Sequence, residues 1–166
     1  MADEPTPAPA EDHRLHTARH TLAELLSKMK ISAQVTARWG ELDEDTQERP
    51  LVLDVHGDDL SMLIGRKGET LTALQYITRL IVSKTLNEGF NLVVDVEGYR
   101  ERRAEQLRHL AQRMAEQVVQ RGRTMSLEPM PASERRIIHL ELRDHPQVRT
   151  ESVGEGDRRK VTIIPK

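Results

Sequence analysis

Two helical patterns in the middle of the chain are joined by only Ile64-Gly65-Arg66-Lys67-Gly68, and this junction limits the possible folds more than any other feature. Glycine at both ends lets the backbone turn through angles that a Cβ forbids and leaves it open to close approach. Before the junction, Asp58 or Asp59 is placed to cap a short helix running through Leu63. After it, Glu69 to Leu86 carries Leu71, Leu74, Ile77, Ile81 and Val82 at helical spacing, a stripe expected to face a core.

The flanking segments supply a sheet for those helices to cover. Leu15, Leu22, Leu26 and Met29 recur along His13 to Lys30 and predict a first helix. Ile31, Ala33, Val35, Ala37 and Trp39 alternate, as do Leu51, Leu53 and Val55, so two strands follow. Between them Glu41 to Glu48, with Asp43, Glu44 and Asp45, is read as a solvated hairpin loop, because a Ca²⁺ loop needs ligands at fixed offsets around a glycine. Asn87-Glu88-Gly89 ends the long helix, and Phe90 to Val96 is β-branched enough for a third strand. Residues 13–97 are thus expected to fold as α-β-β-α-α-β. Residues 1–12 hold three prolines among alanines and acids and are expected to form a disordered tail.

A second unit is expected over residues 98–166. Leu107, Leu110, Ala111, Met114 and Val118 stripe a long Arg-rich helix ending near Gly122. Thr124 to Leu127 is a short extended stretch, and beyond Pro129 and Pro131 Ser133 is placed to cap a helix reaching about Leu142. Val148 to Val153 and Lys160 to Ile164 follow as strands joined by Gly154-Glu155-Gly156-Asp157. The implied class is α+β, two small domains each near the lower size limit for a single core.

Composition then narrows function. The absence of cysteine removes disulfide scaffolds, thiolate zinc sites and thiol nucleophiles, and suits a reducing cytoplasm. No apolar run approaches the ~18 residues of a membrane span, and Met1 to Ala10 lacks the basic head of a secretion signal. The net charge of −2 hides a division: residues 1–98 carry 10 Lys or Arg against 17 Asp or Glu, net −7, and residues 99–166 carry 15 against 10, net +5. Thirteen of those 15 cations are Arg, whose planar fork suits phosphate. Local rather than total charge decides where an anion binds.

The chain contains no Walker loop, no Gly-x-Ser-x-Gly elbow and no paired-His zinc signature, so no catalytic residue and no cofactor is assigned. Its four aromatic residues, Trp39, Tyr76, Phe90 and Tyr99, are too scattered for a base-stacking platform. His13, His16 and His20 share a helix face opposite Leu15, Leu22 and Leu26, but with no further ligand in sight they are read as a polar face and not as a metal site.

Two groups of residues remain as candidate nucleic-acid sites. In the Ile64, Gly65, Arg66, Lys67, Gly68 segment, two cations and a bare backbone meet the N-terminus of the next helix, whose amides and dipole favour phosphate. A Gly-x-x-Gly alone is weak, since the glycines could serve only a turn, but KH domains use such a loop between helices to clamp a single strand. A helix-hairpin-helix DNA module also uses a Gly loop, yet it leaves the flanking strands unexplained. The second group is Arg135 and His139, four apart and so on one helix face. Both can donate to phosphate, with binding expected to tighten as the imidazole gains charge below about pH 6.5. Arg136, Arg149, Arg158, Arg159 and Lys160 are their basic company.

Gly98-Tyr99-Arg100, Met130-Pro131, Glu134-Arg135-Arg136-Ile137-Ile138-His139 and Ser152-Val153-Gly154-Glu155-Gly156 together resemble an R-three-H domain, named for its Arg-x-x-x-His pair. Gly65-Arg66-Lys67-Gly68-Glu69-Thr70-Leu71-Thr72-Ala73-Leu74-Gln75-Tyr76 is similar to the KH domain of the Jag family, the SpoIIIJ-associated RNA-binding proteins, in which KH precedes R-three-H. The resemblance implies a type II KH domain, non-catalytic binding of single-stranded RNA, post-transcriptional regulation or RNA chaperoning that affects cell division or the envelope, and partnership with a small single-KH protein. Many members also carry a small N-terminal domain. Residues 1–12 stand where that domain would precede the KH unit, so roles tied to it are not expected from this sequence. The alternatives left open are an adaptor whose first domain contacts protein while only the basic second half touches nucleic acid, and a single-stranded DNA binder.

Overall fold

The computed structural model describes residues 9–42 and 46–166, and the chain divides into two compact units, Met1–Tyr99 and Arg100–Lys166. Residues 1–8 of the expected tail and the acids at 43–45 lie outside the described residues. Helix α1 spans Pro9–Lys28, so it begins inside the stretch expected to be tail.

In the first unit α1 leads to strands β1 (Gln34–Trp39) and β2 (Leu51–His56), the single turn α2 (Ser61–Ile64), a 3-10 turn at Arg66–Gly68, helix α3 (Glu69–Leu86) and strand β3 (Leu92–Val96). The sheet order is β1-β2-β3. β2 runs antiparallel to β1, with Val35 opposite Val55, and parallel to β3, with Val55 opposite Val96. Parallel strands need a crossover, and α2 with α3 supplies it. Central β2 buries Leu51, Val52, Leu53 and Val55, a nearly continuous apolar run, while edge strand β1 alternates. One core joins Ala18, Leu22 and Leu26 of α1 to these strands and to Leu63, Leu71, Leu74 and Val82. At the other edge the Val94 amide donates to the Gln75 side-chain carbonyl at 3.0 Å, which blunts an open strand edge.

Two local expectations differ here. Neither Asp58 nor Asp59 caps α2: Leu60 holds the N-cap position without a side-chain bond, and Asp59 instead accepts from the Ser61 hydroxyl at 3.2 Å. On α3 the buried stripe is Leu71, Leu74, Thr78 and Val82, whereas Ile77 and Ile81 stay 48% and 38% exposed. The 3-4-4 spacing of the buried set follows one line along the helix, and the two isoleucines lie on the neighbouring line. Thr78 fits the core because its hydroxyl donates to the Leu74 carbonyl at 2.7 Å.

Helix α4 (Tyr99–Arg121) opens the second unit, followed by strand β4 (Met125–Ser126), helix α5 (Ala132–Glu141), strand β5 (Val148–Val153), a 3-10 turn at Gly156–Arg158 and strand β6 (Lys160–Pro165). The sheet order is β4-β6-β5, all antiparallel, so β5 is an edge. Leu107, Ala111, Ala115 and Val118 of α4 share a core with Ile138 and Leu142 from α5 and its C-terminus, and with Val148, Val161 and Ile163. Ser133 does not cap α5. Pro131 stands at the N-cap, and its carbonyl accepts from the Arg135 amide at 3.0 Å. The Tyr99 side chain packs against the first unit's core, not the second's.

Candidate nucleic-acid interface

The Gly65–Gly68 turn has a backbone that ordinary residues adopt at a cost. Gly65 sits at φ 70°, ψ −171°, a region essentially confined to glycine, and a Cβ there would lie 2.2 Å from Thr70 Oγ1 and 2.9 Å from the Thr70 amide nitrogen. Lys67 and Gly68 are both left-handed, at φ 51° and 80°. Gly68 is the N-cap of α3 with no side-chain bond to that helix's first amides, which leaves helix-end donors beside the turn. The Tyr99 ring covers Gly68, where an added Cβ would stand 3.0 Å from Cε1. Arg66 is exposed, and Lys67 and Ile64 are half-buried. Tyr99 falls in the segment expected to open the second domain, and nothing in local spacing signals that its ring covers this turn.

In the second unit Arg135 and His139 do meet on one face of α5, and that face turns toward β5. Arg135 Nε donates to the Met130 carbonyl at 3.2 Å and Nη1 to Ser152 Oγ at 3.1 Å. His139 Nε2 lies 2.8 Å from Ser152 Oγ and Nδ1 2.6 Å from Thr150 Oγ1. Burial, and secondarily the charge of Arg135, hold the imidazole pKa below its usual 6.5. Both effects disfavour the cation. Ser152 had appeared only as part of a motif and Thr150 not at all, though their i, i+2 spacing on a strand was a readable sign that they share a face.

The remaining cations do not all join this face. Thr150 and Ser152 point to α5, so by strand alternation the exposed Arg149 points the other way, where it pairs with Glu151. Lys160 is opposite Val153 in the β5–β6 register, and so lies on the Arg149 side. Arg136 and Arg158 are exposed, Arg158 on the 3-10 turn beyond β5. The His16 and His20 rings stack at 6.2 Å between centroids. Among the described residues no group of three or more His, Asp or Glu is placed to hold a metal, and no helix is long and apolar enough to cross a membrane.

An α-β-β-α-α-β unit with a Gly-x-x-Gly turn, followed by a helix-and-sheet unit carrying Arg-x-x-x-His, defines a protein with a type II KH domain and an R-three-H domain. Comparison with known proteins agrees: residues 19–96 match the KhpA/KhpB KH domain and residues 105–165 the R-three-H domain. An RNA-binding protein KhpB of Clostridium symbiosum is 37% identical over 145 residues, covering 87% of this chain and 63% of the relative. That of Bacillus subtilis is 37% identical over 144 residues, covering 84% and 69%, and that of Lactiplantibacillus plantarum 35% over 147, covering 89% and 45%. The chain belongs to the KhpB family, also called Jag, and spans 63% of the length of the first of these relatives.

Proposed function

We propose that the protein is a non-catalytic, cytoplasmic single-stranded RNA-binding protein that regulates or chaperones transcripts, with effects on cell division or envelope processes. The observation that carries this is the Gly65–Gly68 turn, a strained, glycine-dependent backbone with Arg66 exposed beside the uncapped start of α3. A phosphate seated there receives amide donors, the helix dipole and the Arg66 and Lys67 charges together. In the second unit Arg135, Arg136, Arg158, Arg149 and Lys160 offer phosphate contacts of their own, with His139 behind Arg135. Because β5 is a sheet edge, one strand crossing it meets Arg135 on one face and Arg149 on the other. The names of the relatives support RNA over DNA. A second KH-bearing chain, whether a small single-KH protein or another copy, is the protein partner this reading includes.

The test compares affinities for single-stranded RNA, single-stranded DNA and duplex DNA of equal length at matched salt. Preference for the RNA is expected, and equal affinity for the duplex sinks the proposal. One observation favours the adaptor reading: Tyr76, Ile77 and Leu80 of α3 are 54%, 48% and 50% exposed, an apolar surface suited to protein. On that reading reversing Arg66 and Lys67 leaves RNA affinity unchanged while Arg135→Ala abolishes it.

A further inference from the structure

Resting on that binding role, the geometry points to Ser152 and Thr150 as positioning residues: their hydroxyls order a one-way hydrogen-bond chain, Arg135 to Ser152 to His139 to Thr150, that uses a neutral imidazole as a pin and aims the Arg135 guanidinium outward. A guanidinium only donates, so Ser152 Oγ accepts from Arg135 Nη1 at 3.1 Å. The Ser152 hydroxyl proton then has His139 Nε2 at 2.8 Å to receive it. With Nε2 accepting, the ring proton sits on Nδ1 and is donated to Thr150 Oγ1 at 2.6 Å. Every link runs the same way, and such chains polarise one another. The opposite tautomer also leaves one hydroxyl proton over, that of Ser152 in place of that of Thr150, but it sets two donors, one of them cationic, on Ser152 Oγ and breaks the chain that the guanidinium polarises.

The consequence for Arg135 is geometric. Its Nε is held by the Met130 carbonyl and its Nη1 by Ser152, so the plane of the fork is fixed at two points and Nη2 is left to meet a phosphate. His139, with both ring nitrogens engaged by β5 hydroxyls, has none to offer. The signature histidine thus acts through the arginine. The ring's lowered basicity fits this role, since an imidazolium beside Arg135 would be repelled.

The test uses the full-length chain. Long-range ¹H–¹⁵N correlation of the imidazole at pH 7 reads the tautomer, and fluorescence anisotropy with a labelled single-stranded oligoribonucleotide of mixed sequence reads affinity. The Nδ1–H tautomer is expected, unchanged when the oligonucleotide is added. Arg135→Ala weakens binding about 10- to 100-fold, the loss of a charged hydrogen bond, and Arg135→Lys resembles it because an ammonium cannot keep both anchors. Ser152→Ala and Thr150→Val each weaken binding about 3- to 10-fold and disturb the tautomer signature, and Thr150→Ser restores both readouts. If Ser152→Ala does not fold, the two Thr150 variants carry the same comparison. An Nε2–H tautomer or an imidazolium in the wild type overturns the proposal, as does wild-type affinity in folded Ser152→Ala and Thr150→Val. Wild-type affinity in Arg135→Ala overturns the part of Arg135 in RNA binding, while the imidazole spectra, which need no RNA, separately uphold or overturn the hydrogen-bond chain.

Discussion

Arg103 on α4 holds Glu134 on α5 at two points, Nε to Oε1 at 2.8 Å and Nη2 to Oε2 at 2.9 Å, with Glu134 only 8% exposed. The pair fixes the start of α5 against α4, and Arg135 is the next residue. Removing Arg103 leaves the buried Glu134 carboxylate without its two-point partner, so Arg103→Met is expected to destabilise the protein by about 3 kcal/mol. Arg103→Met with Glu134→Leu removes both charges and should recover much of that loss. Urea unfolding followed by circular dichroism measures both, and a single variant as stable as wild type would show that the pair contributes nothing.

Gly65 admits no side chain. Its φ/ψ belongs to glycine alone and the space is filled by Thr70, so Gly65→Ala is expected to cost roughly 1 to 3 kcal/mol from backbone strain before any clash is counted, and to weaken RNA binding by displacing the turn. Gly89→Ala is the control, since nothing lies within 4 Å of a Cβ there. Equal thermal midpoints for the two variants would mean that the turn relaxes freely.

How far the sequence carried this structure depends on the range of the signal. Periodicity gave the order of elements in both units because each helix and strand records its own buried face. The α3 stripe was assigned too broadly, since Ile77 and Val82 are equally apolar and only the width of the neighbouring sheet decides which of them is covered. Gly65 was legible because no other residue can do its work. Tyr99 over Gly68, Glu134 beneath Arg103 and Ser152 behind His139 were not, because each pairs residues far apart in the chain that no local pattern couples. Arg149 and Lys160 were grouped with Arg135 by proximity in sequence; strand alternation separates them.

Charge reversal at the turn separates a phosphate site from a simple bend. Asp tolerates the left-handed conformation of Lys67, so Arg66→Asp with Lys67→Asp should fold. If each cation meets one phosphate of a single strand, the slope of log affinity against log salt falls by roughly 1.4, at about 0.7 per contact. Affinity and slope both equal to wild type would reduce the turn to a connector.

Protonation of His139 should act on stability, not on RNA affinity. An ordinary imidazole would gain charge below about pH 6.5 and tighten its hold on phosphate, but this ring is held neutral by burial and by Arg135, and both its nitrogens face hydroxyls. Its pKa is lower folded than unfolded, so between the two values the unfolded chain binds more protons and stability rises with pH. The contribution is therefore intact above about pH 6.5, declines as pH falls below the unfolded value, and is fully lost once pH passes below the folded one. The urea midpoint of the wild type should accordingly drop more between pH 7 and pH 5.5 than that of His139→Gln, because the other titrating groups are common to both proteins. RNA affinity should change little between pH 7.5 and pH 6.5. Parallel midpoint curves for the two proteins would show that His139 titrates as it does in the unfolded chain, and binding that tightens over that interval in the wild type but not in His139→Gln would return the imidazole to the phosphate.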